Sequence, residues 1–323
     1  MCTAVSMTTG CHYFGRTLDL EYHYSESVTV TTRRFPLEFR CSPALSEHYA
    51  YIGMATVIDG HPLYYDAVNE KGLGMASLNF PGNACYLSAS DDKDNIAPFE
   101  MIPWILSRCG SVAEARAMLE RTNVVNIDFR EDMPLTPLHW MIADGEECIV
   151  VEPMSNGLVI YDNPVRVMTN NPTFDMQLMN MNNYMHLSAG TPVNSFSPDL
   201  ELTAVSRGAG AIGLPGDLSS ASRFVRAAFS LHNSVCGDGE DESVGQFFHI
   251  LGSVSQTKGC VRLEDGCVTT VYSSCFSAGT GIYYYTTYGN RRICGVDMNR
   301  ENLDGSELVS YPLMTAQDIL MQN

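Results

Sequence analysis

The chain has 323 residues, 45% of them hydrophobic and 17% charged, with 37 acidic against 19 basic side chains and a formal net charge of -18. This composition supplies enough apolar material for a sizeable core and excludes disordered or fibrous classes. Only Lys71, Lys93 and Lys258 are lysines, so phosphate backbones and anionic lipid headgroups are repelled, and neither nucleic acid nor a membrane is expected as a partner. The eleven cysteines are odd in number and form no CxxC pair, which argues against a disulfide framework or a structural zinc site. With no run of roughly 18 apolar residues and no basic, apolar leader, the chain reads as a cytoplasmic protein of a reducing compartment.

Taken in chain order, residues 2–8 and 11–18 are β-prone runs joined through Gly10, an N-terminal hairpin. Strand-like runs follow at 27–33, 50–58, 62–68 and 73–80. Pro98 to Cys109 is apolar at helical spacing, and Ser111 with Glu114 caps a second helix running to about Arg121. Strands are predicted at about 137–143, 147–153, 157–162 and 165–169, then helices from Ser219 to His232 and Val244 to Val254. The last third returns to strands near 268–275, 281–287 and 292–298, and the polar interruptions at 170–200 and 238–243 read as loops. No repeat or linker divides residues 1–323, and grouped strands with grouped helices point to one layered α+β domain, sheets inside and helices outside.

Cys2 carries the strongest chemical signal. Removal of Met1 from before a small residue leaves a mature chain, 2–323, that begins with a thiol and a free α-amine on one residue. An α-amine with a pKa of about 7.7 to 8.0 can take the proton of a thiol with a pKa of about 8.5, which joins nucleophile and base without a histidine. The returning strand of the hairpin brings Arg16 and Asp19 toward Cys2, where a cation favours thiolate and a carboxylate can hold the amine.

The start Met-Cys-Thr-Ala, the run Gly15-Arg16-Thr17-Leu18-Asp19 and the segment Asn69 to Gly82 together resemble the choloylglycine hydrolase family of N-terminal-nucleophile hydrolases, which holds bile salt hydrolases and penicillin V acylases. The resemblance continues at Thr169 to Asp175, Gly213 to Asp217, Ser222 to Arg226 and Tyr283 to Tyr288, and so covers essentially the whole chain. It implies an αββα fold of two stacked antiparallel sheets between helical layers, and a homotetramer. It places the nucleophile and base on Cys2, flanking cations on Arg16 and Arg223, the amine anchor on Asp19 and oxyanion donors on Asn170 and near Asn79. Asn170 is chosen over its neighbour Asn171 because it directly follows Thr169 in the shared pattern. Asn79 resembles the bile salt hydrolases, where penicillin V acylases commonly carry Tyr.

The activity so implied is cofactor-independent cleavage of glycine- or taurine-conjugated bile acids in a gut bacterium. Penicillin V acylase activity and a silent, bile-acid-binding member stay open as alternatives. Leu20, Tyr22, Ile58, Tyr65, Met133 and Leu135 are candidate walls for an apolar acyl group, and the flanking arginines are candidate counter-charges for the substrate's anionic end. Gly208 to Gly213 fits GxGxxG by letters but leads into Leu-Pro-Gly rather than a helix, so a dinucleotide site is not expected. His139 lies in an apolar strand-like run and the histidines lack metal spacing, so a core role is expected for it and no metal.

Overall fold

The computed structural model describes residues 1–264 and 266–323. The first six strands are β1 (Cys2–Thr8), β2 (His12–Leu20), β3 (Ser27–Thr31), β4 (Tyr51–Ile58), β5 (His61–Asn69) and β6 (Gly74–Asn79). The helices are α1 (Met101–Leu106), α2 (Val112–Leu119), α3 (Phe174–Met181), α4 (Ser220–Asn233) and α5 (Glu240–Gly252).

A six-stranded antiparallel sheet runs in the order Val167–Met168, β1, β2, Thr269–Ser277, Ile282–Thr287, Cys294–Asp297. An eight-stranded antiparallel sheet runs Gly157–Asp162, Cys148–Met154, Leu138–Ala143, β6, β5, β4, β3, Leu308–Pro312. The sheets stack where β1 and β2 meet β5 and β6. α4 and α5 cover the outer face of the six-stranded sheet, and α1 packs on β5 and β6 from the other side. The fold is thus the four-layer αββα arrangement, of the α+β class. Alternation explains why both sheets are buried on two faces: β1 and β2 hide apolar residues on either side, Ala4 and Leu18 on one and Val5 on the other.

The turns follow their chemistry. β4 and β5 are joined by Asp59-Gly60 alone, both at positive φ (52° and 80°), as a two-residue hairpin loop with right-handed strand twist requires. Ser111 accepts the Glu114 N–H as the capping pair predicts, while the Glu114 carboxylate turns back to the Gly110 N–H at 2.6 Å.

Several expectations are corrected. The helix expected over 98–109 is a 3-10 turn at Pro98–Glu100 followed by α1, which stops at Leu106. The supposed loop at 238–243 opens α5, with Glu240, Asp241 and Glu242 in its first turn, where unpaired N–H groups and the helix dipole favour carboxylates. The 170–200 interruption contains α3, whose buried stripe is only Phe174 and Gln177, too short for periodicity to reveal. The closing edge strand Leu308–Pro312 has no fully buried residue and ends in proline, so its β signal is weak. Gly208 to Gly213 forms a short 3-10 turn after Gly208 at positive φ, with no helix opening on it.

Candidate active site

The register of the first hairpin divides the site into two faces. Cys2 pairs with Leu18 and Ala4 with Arg16, so these four side chains share one face, while Thr3, Thr17 and Asp19 occupy the other. The Arg16 face looks between the sheets: its Nη1 donates to the carbonyl of Tyr65 at 2.9 Å and to that of Ser77, on β5 and β6. The Asp19 face looks toward α4, whose Arg223 reaches back to donate to Thr3 Oγ1 (2.7 Å), the Cys2 carbonyl (2.5 Å) and Asn170 Oδ1 (2.8 Å). Cys2, at 2% exposure, therefore sits between two guanidinium groups, Arg16 from the neighbouring strand of its own sheet and Arg223 from the helix layer.

These arginines share the site with two carboxylates, Asp19 and Asp66, and all four side chains are almost wholly buried. Buried charges are normally paired. Among the described residues, no ion pair within 4.0 Å joins any of these four to another charge. Neutral partners hold them instead. Asp19 accepts from Thr270 Oγ1 at 2.6 Å and Thr17 Oγ1 at 3.0 Å. Asp66 accepts from Tyr272 Oη at 2.5 Å, Tyr283 Oη at 2.6 Å and Ser274 Oγ at 3.1 Å.

Burial pushes both carboxyl groups above their ordinary range, against the pull of Arg223 on Asp19 and of Arg16 on Asp66. Burial likewise pulls Arg223 down, opposed by Asp19 and Cys2. For Arg16 burial also disfavours the charge, but Cys2, Tyr272, Asp66 and Asp19 together outweigh it and raise the guanidinium's proton affinity. A full charge kept in low dielectric without a contact partner has a field that reaches its neighbours, here the Cys2 sulfur.

The Asn pair is arranged differently from the expectation. Asn170 turns Oδ1, not its N–H groups, to the Cys2 backbone N–H at 2.8 Å and to Arg223, while its Nδ2 donates to the Asn79 carbonyl at 2.7 Å. Asn171 reaches the Pro81 carbonyl instead, so of the two neighbours Asn170 is the one beside Cys2. Asn79 ends β6 with its Oδ1 buried and unpartnered, and a half-turn of that amide would aim an N–H into the same space. With Met1 in place, the terminal amine donates to the Asp19 backbone carbonyl at 2.7 Å rather than to its carboxylate.

Sequence reasoning missed the supports. Ser220 Oγ, at the start of α4, accepts the Asn170 N–H at 2.9 Å and donates to Thr169 Oγ1 at 2.9 Å. His139, stacked on Phe80 at 4.3 Å, holds the Thr169 carbonyl at 2.8 Å and lies 3.4 Å from Glu152, so its core role also steadies the 169–170 segment. Among the described residues no cluster of three or more His, Cys, Asp or Glu side chains is placed to hold a metal ion.

The six candidate wall residues fall on three regions linked by hydrogen bonds: the end of β2 with Tyr22 beyond it, the β4–β5 hairpin, and the loop of Met133 and Leu135. Tyr65 lies next to the site through its carbonyl's bond to Arg16, and its hydroxyl meets Thr56 Oγ1, which donates to the Tyr24 carbonyl at 2.9 Å. This draws the Leu20–Tyr22 end of β2 toward β4. Ile58 stands beside the Asp59-Gly60 tip, and Arg130 pairs with Asp59 at 3.2 Å, tying in the loop that carries Met133 and Leu135. Tyr22 is 47% exposed, and the other five are partly buried. Two cavities are present elsewhere: one of about 220 Å³ behind the β4–β5 tip and one of about 340 Å³ along α4, neither lined by Cys2. The counter-charge role expected of the arginines is limited by burial: Arg16 and Arg223 are 1% and 0% exposed, and Arg16 Nε and Nη1 and all three Arg223 nitrogens already donate to protein acceptors.

Comparison with known proteins agrees with this geometry. Residues 2–311 match the family of linear amide C-N hydrolases, choloylglycine hydrolase family. The chain is 54% identical over 314 residues to a bile salt hydrolase/transferase of Lactiplantibacillus plantarum, covering 97% of each. It superposes on a solved variant of the conjugated bile acid hydrolase of Clostridium perfringens with a TM-score of 0.92, at 39% identity and full coverage of both chains. A penicillin V acylase of Pectobacterium atrosepticum is more distant, 26% identical over 190 residues that span 56% of this chain and 42% of that one. A cysteine held at position 2 between an arginine of the adjacent strand and one from the covering helix, in a fold matched from end to end, places this chain in the choloylglycine hydrolase family of linear amide C-N hydrolases.

Proposed function

We propose that this enzyme is a bile salt hydrolase that cleaves the amide between a bile acyl group and glycine or taurine, with Cys2 as an N-terminal nucleophile. The observation that carries the reading is the placement of Cys2 between the buried guanidinium groups of Arg16 and Arg223, in a chain related end to end to proteins named for this activity.

Once Met1 is gone, the freed Cys2 nitrogen stands beside Asn170 Oδ1, which can accept one of its hydrogens. The neutral amine takes the thiol proton, and Sγ bonds to the amide carbon while the carbonyl π electrons move to oxygen. That oxyanion is assigned to the Asn79 Nδ2 N–H after a half-turn of its amide and to the Asn170 Nδ2 hydrogen not held by the Asn79 carbonyl, non-titrating donors that suit developing charge in a water-poor site. Collapse of the adduct breaks the C–N bond, and the leaving nitrogen takes the proton held by the Cys2 ammonium. Water then gives a proton to the same amine and its oxygen to the thioester carbon. The C–S bond breaks, releasing the bile acid and restoring the thiol.

Arg16 and Arg223 favour the thiolate, and Asp19 favours the ammonium. No cofactor takes part. The relative's name includes transferase, and a thioester is equally open to an amine, so the proposal includes acyl transfer to amino acids when these are supplied.

Leu20, Tyr22, Ile58, Tyr65, Met133 and Leu135 are proposed to face the acyl group. The proposal treats residues 1–323 as one catalytic unit of a bacterial cytoplasm. It also includes a homotetramer, for which the exposed Met185, Val193, Phe196 and Val205 offer apolar surface to a second copy. Light scattering at micromolar concentration tests the assembly.

Parallel assays of glycocholate, taurocholate and penicillin V test the activity. Release of glycine or taurine well above penicillin V turnover is expected. Penicillin V turnover equal to or above that of the conjugates overturns the substrate choice, and conjugate binding without amine release indicates a silent binder.

A further inference from the structure

Asp66 takes no part in the steps above, yet it is the second anion of the site. It lies on β5 opposite Ala76 of β6, 1% exposed, in the space between the sheets. Its three hydroxyl donors, Tyr272, Ser274 and Tyr283, come from two strands of the facing sheet. Ser274 Oγ also accepts the backbone N–H of Arg16 at 3.1 Å, so a single hydroxyl connects the Arg16 main chain to the Asp66 carboxylate.

A structural bolt across the sheets does not need a charge, since a neutral amide can accept from hydroxyls at a lower desolvation cost. What the charge provides is balance. Hydroxyl donors, three on Asp66 and two on Asp19, and the neighbouring arginines favour the ionised carboxylates against burial; with Arg16 and Arg223 charged, the buried set then sums to zero when Cys2 is a thiol and its amine is neutral. The groups facing Cys2 are Arg16 from β2, Arg223 from α4, Asn170 and the terminal amine with Asp19. Those facing Asp66 are Tyr272, Ser274 and Tyr283 from the opposite sheet, with Arg16 beside it.

We propose that Asp66 is a positioning residue that acts through Arg16, offsetting the guanidinium charge and thereby setting the pH at which the Cys2 sulfur becomes a nucleophilic thiolate. The inference rests on the reading of Cys2 as nucleophile. Replacing Asp66 by Asn leaves a surplus positive charge, which favours thiolate and disfavours ammonium, so both groups lose their protons at lower pH.

The test uses processed full-length enzyme. Iodoacetamide alkylation of Cys2 is followed by mass mapping of the N-terminal peptide across pH, since ten other free cysteines are present, and kcat/KM for glycocholate is measured over the same range, in wild type and in Asp66→Asn. In the variant the alkylation midpoint and the acid limb of kcat/KM are both expected to move down by about one pH unit. A folded variant with an unmoved or raised midpoint overturns the proposal.

If Asp66→Asn does not fold, Tyr283→Phe removes one donor, raises the proton affinity of the Asp66 carboxyl and shifts the midpoint the same way by about 0.3 unit; no shift there overturns it. Wild-type enzyme that stays fully active with Cys2 alkylated, or that is never alkylated there, overturns the nucleophile reading and this inference with it. Failure confined to the variants overturns the Asp66 role alone.

Discussion

The two ends of the β1–β2 hairpin bury polar groups in opposite ways. At the turn, every group closes on a near partner. The His12 ring lies 3.3 Å from the Gly72 carbonyl and 3.0 Å from Ser6 Oγ, and Ser6 in turn accepts from Arg166 at 2.9 Å. Glu240, at the start of α5, accepts from the hydroxyls of Tyr13, Ser277, Thr280 and Tyr284 and so fastens the helix to the six-stranded sheet. At the open end Arg16, Asp19, Asp66 and Arg223 keep their charges apart, and Asn79 keeps a buried oxygen unpartnered. One end closes its polar groups on one another, and the other leaves charged groups without ion-pair contacts around a sulfur. Site chemistry is expected where such local rules are broken.

Arg223→Leu tests the contrast most severely. It strips donors from the Cys2 carbonyl, Thr3 and Asn170 together, so kcat/KM for glycocholate is expected to fall about 100-fold or more, with a stability loss of about 1–3 kcal/mol from orphaned acceptors. A folded variant with near wild-type kcat/KM would dissolve the distinction between the ends.

His12→Gln probes the closed end. Burial lowers the His12 pKa from 6.5 to about 4. Because the folded value is the lower one, its stabilising contribution is present above pH 6.5 and is lost as pH falls from 6.5 toward 4. The difference corresponds to at most about 3 kcal/mol, so in urea melts the variant should lose that much less stability than wild type across this window. Its turnover at pH 7 should stay within about twofold of wild type. Parallel stability curves would show that His12 is not held neutral.

The smallest expected effect is that of Tyr22→Ala, on the half-exposed rim. KM for glycocholate should rise a few-fold, about 1 kcal/mol of lost apolar contact, with kcat little changed. A fall in kcat alone would move Tyr22 from the acyl wall to the chemistry.

These two ends were not equally legible in the sequence. Cys2, Arg16 and Asp19 are close in sequence, and strand alternation with one tight turn brings them together, so the core of the site could be argued from eighteen residues of chain. Arg223, Asn170 and Asn79 lie far apart, and only the family pattern linked them. Asp66 had no signal, because it sits within the run Tyr64-Tyr65-Asp66-Ala67, and a charge inside a strand does not reveal which sheet its face will meet. The same limit applies to α3, whose side chains bury little, and to the acidic start of α5, where polarity mimics a loop while serving a helix terminus.

The central claim is that residue 2 is both chain terminus and nucleophile. It is tested most directly by mass analysis of purified enzyme quenched in acid during glycocholate turnover, with peptide mapping of the N-terminus. The account predicts a chain lacking Met1 and carrying a cholyl thioester on Cys2, and a Cys2→Ser variant at least about 1,000-fold slower. Active enzyme that retains Met1, or an acyl group mapped to any other residue, would contradict it.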